Sequence, residues 1–398
     1  MLILVINCGS SSAKYQLFDV RKDRSSAFRL RSAPMVSDAE PLAKGVVERI
    51  GQPGSTLHYQ LDGKDAGLKK VRCKDHHTAI EIIVDILTDS RHGAIASKSE
   101  IDGIGHRVVH GGEEFKESTL ITKKVIRSIE KYSELAPLHN PPSLSGIRAC
   151  SKILAGIPQV AVFDTSFHQT MPQEAFLYGL PFGYYIRYGI RRYGFHGTSH
   201  RFVSEEAARV LRRPPASLKL VTCHLGNGCS ITAVSGGRSV DTSMGFTPLE
   251  GLLMGTRSGD LDPAAVLYIL EKEGLTIAEV NDVLNKQSGL FGISGISNDM
   301  RDILKGAKGN GKKAGRCRAA IEIYVYRIKK YIGAYQAAMG GLDAVIFTAG
   351  IGENNPWIVR RVAAELKGVV SRKTKFLTIP TNEELLIARD TYNIIKKR

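Results

Sequence analysis

The chain opens with an apolar run, a small-residue break and an alternating stretch. LILVINC is mostly apolar, GSSS suits a turn, and AKYQLFDV sets Tyr15, Leu17 and Phe18 among polar positions, so the pattern predicts strand, turn, strand. The design returns in LKLVTCHLGNGCSITAVSGGRSVDT, with a turn at Gly226 to Ser230, the strand ITAV and a second turn at Gly236-Gly237. Two copies about 215 residues apart predict two related halves.

Between the copies, HTAIEIIVDILTD has helical spacing, IDGIGHRVVHGG reads as a strand into a glycine turn, and VAVFDTSFHQT as a strand into a polar loop. An amphipathic helix is expected from roughly Cys317 to Met339, then the buried strand DAVIFT, a glycine loop AGIGEN and the strand FLTIP. The closing helix is TNEELLIARDTYNIIKK, where Thr381 and Glu384 fit a capping box. Strands alternating with helices give an α/β class. The polar, basic region 21–74 reads as an insertion on the surface.

Length and composition narrow the class. At 398 residues, with 43% hydrophobic and 24% charged residues, the chain holds more than one globular domain. No apolar run is long enough for a membrane helix, and LILVI is too short for a signal peptide, so a cytoplasmic protein without a membrane partner is expected. Cys8, Cys73, Cys150, Cys223, Cys229 and Cys317 form no CxxC pair and read as reduced thiols. Lys plus Arg outnumber Asp plus Glu by 55 to 39, a net +16 that attracts anions. Ten basic residues fall between Arg301 and Lys330 without a nucleic-acid motif, so a solvated helix face is expected and no nucleic-acid partner.

Several familiar chemistries are set aside on spacing. GAKGNGKK ends in Lys313 where a Walker loop needs a hydroxyl, no GxGxxG follows a strand, and no GxSxG elbow occurs. What remains is the pair of small-residue turns, whose backbone N–H groups suit phosphate oxygens. Asn7, Ser10, Ser12 and Lys14 flank the first: lysine offers phosphate a point charge, and Asn or Ser oxygens suit Mg²⁺. Arg107, in GHRVVHGG, either clamps an oxyanion or closes an internal salt bridge, with Val109 expected on the same side of the same strand. Asp164 ends a buried strand, a common place for a catalytic carboxylate. His196 and His200 have helical metal-pair spacing, but Gly194, Gly197 and Thr-Ser argue for a loop; His196 and Arg257 read better as donors to developing negative charge.

With these residues in place, the chain resembles the acetate kinase (acetokinase) family of the acetate/sugar kinase, heat-shock chaperone and actin superfamily. The runs that carry the resemblance are VINCGSSSAKYQL, GHRVVHGG, APLHNPP, VAVFDTSFHQTMP, RRYGFHGTSHRFVS, CHLGNGCS, DTSMGFTPLEGLLMGTRSGDLDP, FTAGIGEN and IPTNEELLIARDT. It implies two duplicated actin-like ATPase (ribonuclease H-like) domains flanking an active-site cleft: 1–150 with a closing helix 385–398, and 151–384 for nucleotide binding and dimerisation. It further implies that Asn7 and Glu383 hold Mg²⁺ (or Mn²⁺) and that Ser10, Ser12 and Lys14 meet the nucleotide phosphates. Arg107 is implied to bind the substrate carboxylate among Val109, Leu138, His139, Phe195 and Pro248, with Asp164, His196 and Arg257 catalytic. ATP is implied to lie along His224, Leu225, Gly226, Asn227 and Gly228, along Asp299, Met300 and Arg301, and along Gly350, Ile351, Gly352, Glu353 and Asn354. The implied reaction is ATP + acetate ⇌ ADP + acetyl phosphate in a homodimer. Val109 leans toward acetate over propionate, and an ATP-gated module without acyl transfer is the rival from another class. The segment Asn355 to Ile379, the basic insertion and the +16 charge depart from the family pattern.

Overall fold

A computed structural model describes residues 1–20, 40–61 and 63–397. The chain divides into two compact units: unit 1, Met1–Phe167 with Asn382–Arg398, and unit 2, His168–Thr381. The first division therefore falls after residue 150, because the strand at 159–163 pairs with the strand that carries Arg107.

Unit 1 is built on an eight-stranded sheet: β1 (Leu2–Cys8), β2 (Ser12–Asp19), β3 (Ala43–Glu48), β4 (Thr56–Leu61), β5 (Lys64–Lys70), β6 (Ile101–Val108), β7 (Thr119–Leu120) and β8 (Gln159–Phe163), ordered β5-β4-β3-β2-β1-β6-β8-β7. β1 is buried on both faces, which explains its unbroken apolar run. Its Leu4 and Ile6 join the core of Ile80 and Ile83, from helix His76–Leu87, and Cys150, from helix Asn140–Ile153. The closing helix Glu383–Lys396 lies against β6, where a Cβ on Gly105 would stand 2.5 Å from Thr391 Oγ1. Only glycine allows that approach.

Unit 2 holds β9 (Lys219–Leu225), β10 (Cys229–Ser235), β11 (Arg238–Thr242), β12 (Ala344–Thr348) and β13 (Lys375–Thr378), ordered β11-β10-β9-β12-β13. The first three are antiparallel neighbours, while β12 runs parallel to β9 and β13 to β12. Unit 1 repeats that order and sense in β3-β2-β1-β6-β8. The expected internal repeat is thus a repeat of topology.

Several local expectations change. Residues 43–70 form three sheet strands, since Val47, Leu57 and Tyr59 are buried; residues 21–39 of the expected insertion lie outside the described residues. AGIGEN is not a loop but the helix Ala349–Asn354, closed when Glu353 Oε1 accepts from the Ala349 N–H at 2.7 Å. The cap of the last helix is Asn382, whose side chain accepts from the Leu385 N–H; Thr381 bonds Ser199 instead. The long helix begins earlier, spanning Gly311–Met339, and the expected loop at His196 to His200 is the start of helix Gly197–Leu211. Val109 lies one residue beyond β6, so strand alternation does not set its direction. All six cysteines are buried free thiols, and no helix among the described residues is long and apolar enough to cross a membrane.

Candidate active site

In unit 1 the β1–β2 hairpin sets Asn7 directly opposite Lys14, and the turn closes when the Gly9 N–H donates to Ser12 O at 2.8 Å. Ser10 and Lys14 are exposed. His76 Nε2 lies 2.8 Å from Gly9 O and ties the turn to the next helix. Cys8 is buried, which pushes its thiol up to about 12 and leaves it unreactive.

Arg107, late in β6, meets Asp164, just past β8, through two parallel contacts: Nε donates to Oδ1 at 3.3 Å, and Nη2 pairs with Oδ2. Both readings of Arg107 are therefore physical, because the internal pair exists while the guanidinium keeps 22% exposure, against 1% for Asp164. Burial works against the Arg107 charge, but the carboxylates of Asp164 and Glu383 overcome it and raise its pKa. Burial, then the Asp164 carboxylate, push Glu383 up to about 8, opposed by Arg107 and, more weakly, Lys14. Arg107, Asp164, Glu383 and Lys14 are thus one electrostatic cluster.

The loop after β6 is fixed by Asn140, which receives the His110 N–H at 3.1 Å and donates to His110 O at 2.9 Å. A further bond runs from the Gly111 N–H to Thr165 Oγ1 at 3.2 Å. Val109 and His139 are the residues before His110 and Asn140, so these bonds hold them together; Val109 is buried and Leu138 is exposed.

In unit 2, His196 precedes helix Gly197–Leu211 with a left-handed backbone (φ 56°, ψ 24°), unusual for a non-glycine residue. Its ring stacks on His224 at 4.1 Å between centroids, and its Nδ1 lies 2.9 Å from Ser230 Oγ. A Cβ on Gly228 would lie 3.5 Å from both Arg257 Nη1 and His196 Cε1, so the GNG turn, His196 and Arg257 are neighbours. Arg257 Nη1 donates to Pro248 O at 3.1 Å, and no carboxylate pairs with it among the described residues. Burial lowers its pKa. Phe195 is buried beside them.

The other expected nucleotide residues gather on the same turn. Asn298, before Asp299, donates to Asn227 Oδ1 at 2.9 Å, and a Cβ on Gly226 would stand 3.8 Å from that of Ala349, before Gly350. Arg301 is exposed and paired with Asp299 at 2.6 Å. Glu353 faces its own backbone, accepting from Thr348, Ala349 and the Thr381 N–H. Three contributors escape a reading of the chain: His76, Asn140 and Ser230. Asn140 left a faint signal, an amide beside Pro141-Pro142 at a helix start; the other two acquire their partners only through folding.

The family model described as "Acetokinase family" matches residues 2–370. The chain is similar to the acetate kinase of Halothermothrix orenii, at 53% identity with all of both chains covered. That alignment runs over 416 positions against 398 residues here, so at least 18 positions of the relative have no counterpart. Among solved structures, the Porphyromonas gingivalis acetate kinase matches at TM-score 0.89 and 41% identity, covering 99% of both chains. A propionate kinase from Francisella tularensis matches at TM-score 0.87 and 39% identity, again over 99% of both.

Proposed function

This chain belongs to the acetokinase family, and from that premise we propose that it transfers the γ-phosphoryl group of ATP reversibly to acetate, giving ADP and acetyl phosphate. The fold is α/β with two sheets, of the actin-like ATPase class, and the enzyme is a phosphotransferase with a carboxyl acceptor. The observation that carries the assignment of roles is a pair of part-buried arginines. Arg107 presents a carboxylate-matched fork, and Arg257 carries a charge that no protein carboxylate neutralises among the described residues.

In-line transfer spreads negative charge over the equatorial phosphoryl oxygens and asks the protein chiefly for positioning and fixed positive charge. Acetate, with a pKa of about 4 to 5, is ionised at neutral pH and needs no base. Asp164 therefore orients Arg107 and removes no proton. His196 and Arg257 donate to the transferring group, while Lys14 and the two small-residue turns hold the phosphates.

The family's divalent cation is taken to be Mg²⁺. Its fit rests on Glu383, whose ionisation is opposed by burial and by the neighbouring Asp164 carboxylate, a cost a cation relieves. Mg²⁺ keeps several waters and phosphate ligands, so it asks few oxygens of the protein. Asn7 and Glu383 would hold it, and when bound it neutralises phosphate charge.

Val109 packs by the acyl site in this reading, and one methylene there discriminates by only about 1 to 3 kcal/mol, so propionate is a slower substrate. A homodimer forms through unit 2, which exposes Phe182, Ile186, Tyr188, Leu267 and Tyr268; sedimentation velocity reads its mass. The deciding experiment traps acetyl phosphate as the hydroxamate and compares kcat/KM for acetate, propionate and butyrate. Acetate is expected to lead; ATP hydrolysis without hydroxamate would end the kinase reading.

A further inference from the structure

Behind His196 a line of polar groups runs into the core of unit 2. Ser230 Oγ lies 2.9 Å from His196 Nδ1 and 2.7 Å from His200 Nε2, and His200 Nδ1 lies 2.8 Å from Thr222 Oγ1. His200, Thr222 and Ser230 are wholly buried. Ser230 faces Thr222's strand from β10, in register with His224, while His200 comes from the first turn of helix Gly197–Leu211. The Ser230 hydroxyl thus joins His196 to His200, and His200 carries the line on to Thr222.

Such a line has a direction. A hydroxyl has one proton, and a neutral imidazole donates from one nitrogen and accepts at the other. We propose that Thr222, His200 and Ser230 form a one-way hydrogen-bond chain that holds His196 in its Nε2–H tautomer, making Ser230 and His200 positioning residues for the transfer. The proposal rests on the reading that His196 donates to the transferring phosphoryl group. That role needs a proton on Nε2, so Nδ1 must accept from the Ser230 hydroxyl. Ser230, its proton spent, accepts from His200 Nε2–H, and His200 Nδ1, at 2.8 Å, takes the Thr222 proton in preference to the hydroxyl's other acceptor, the Thr232 carbonyl at 3.4 Å. The reverse direction would aim the His196 Nε2 lone pair at phosphoryl oxygens.

Two further observations agree. A charged His200 would donate from both nitrogens and break the direction, but its burial, together with the facing rings of His168 and His224, lowers its pKa well below the ordinary value. The left-handed backbone at His196 is a strained state that persists only where the surroundings determine it, and the Ser230 bond and His224 stack do so. The arrangement is the logic by which a buried partner fixes the tautomer of a catalytic imidazole.

The test is ¹⁵N NMR of histidine-labelled resting protein, with the His196 signals assigned through their loss in His196→Gln. Nε2–H is expected in the wild type and a mixture of tautomers in Ser230→Ala. With that mixture, kcat should fall about tenfold or more while both KM values stay within about twofold, and Ser230→Thr should recover much of the loss. Thr222→Val, which leaves Ser230 in place, is expected to shift the His200 signals and lower kcat less. An Nδ1–H tautomer in the wild type, or unchanged His196 populations in both Ser230→Ala and Thr222→Val, overturns the proposal. Because the spectrum is read without substrate, its outcome is independent of whether hydroxamate forms, and the two readings fail separately.

Discussion

At the residue scale, charge pairing separates the two arginines. Arg107 is matched to Asp164 before any substrate arrives, whereas Arg257 is held by one carbonyl and half withdrawn from water. A fixed cation without an anion gains most when charge develops beside it. Arg257→Ala is therefore expected to lower kcat about 100-fold or more while raising KM for acetate only a few-fold. Steady-state kinetics decide it: a near-normal kcat with only a raised KM removes Arg257 from the transition state. Arg257→Lys should recover little, since an ammonium lacks the planar fork.

At the element scale, the site depends on how strand ends are tied to helices. The turn after β6 must reverse tightly, and Gly112 adopts φ 61° where a Cβ would lie 2.0 Å from the Tyr132 ring. Asn140 then fastens the turn to the start of helix Asn140–Ile153 by satisfying both backbone groups of His110. Asn140→Ala removes both of those buried bonds, which costs about 1 to 3 kcal/mol in all. The expected result is a lower melting temperature and a KM for acetate raised more than that for ATP, since Val109 and His139 sit on the two segments joined. Equal changes in both KM values would show that the bond supports the fold without shaping the acyl site.

At the scale of the whole molecule, acid sensitivity follows from histidines the fold keeps neutral. Burial holds His106 and His110 down to about 4, Gln159 opposing it slightly at His106. The unfolded chain takes up those protons near pH 6.5 and the folded one does not. Stability is therefore complete above about pH 6.5 and lost as pH falls toward 4, by up to about 3 kcal/mol per imidazole. Melting curves between pH 7 and 4 should show this limb, and His106→Gln should flatten it; an unchanged slope in the variant would remove His106 as a cause. What the chain determined by itself is what repeats or is local. The two hairpins, the buried strands and the glycine turns declare themselves through short-range periodicity, and the long motif runs point to the family because many positions match at once. Boundaries that depend on distant partners stayed hidden: residues 43–70 as sheet strands, AGIGEN as a helix, Asn382 as the cap, and strand 159–163 as part of unit 1. Only the tertiary structure decided that Asp164 meets Arg107 and Glu383, or that Ser230 stands between His196 and His200. Hydrogen bonds and charges act over a few ångströms of space, and folding alone brings residues more than two hundred positions apart within that reach.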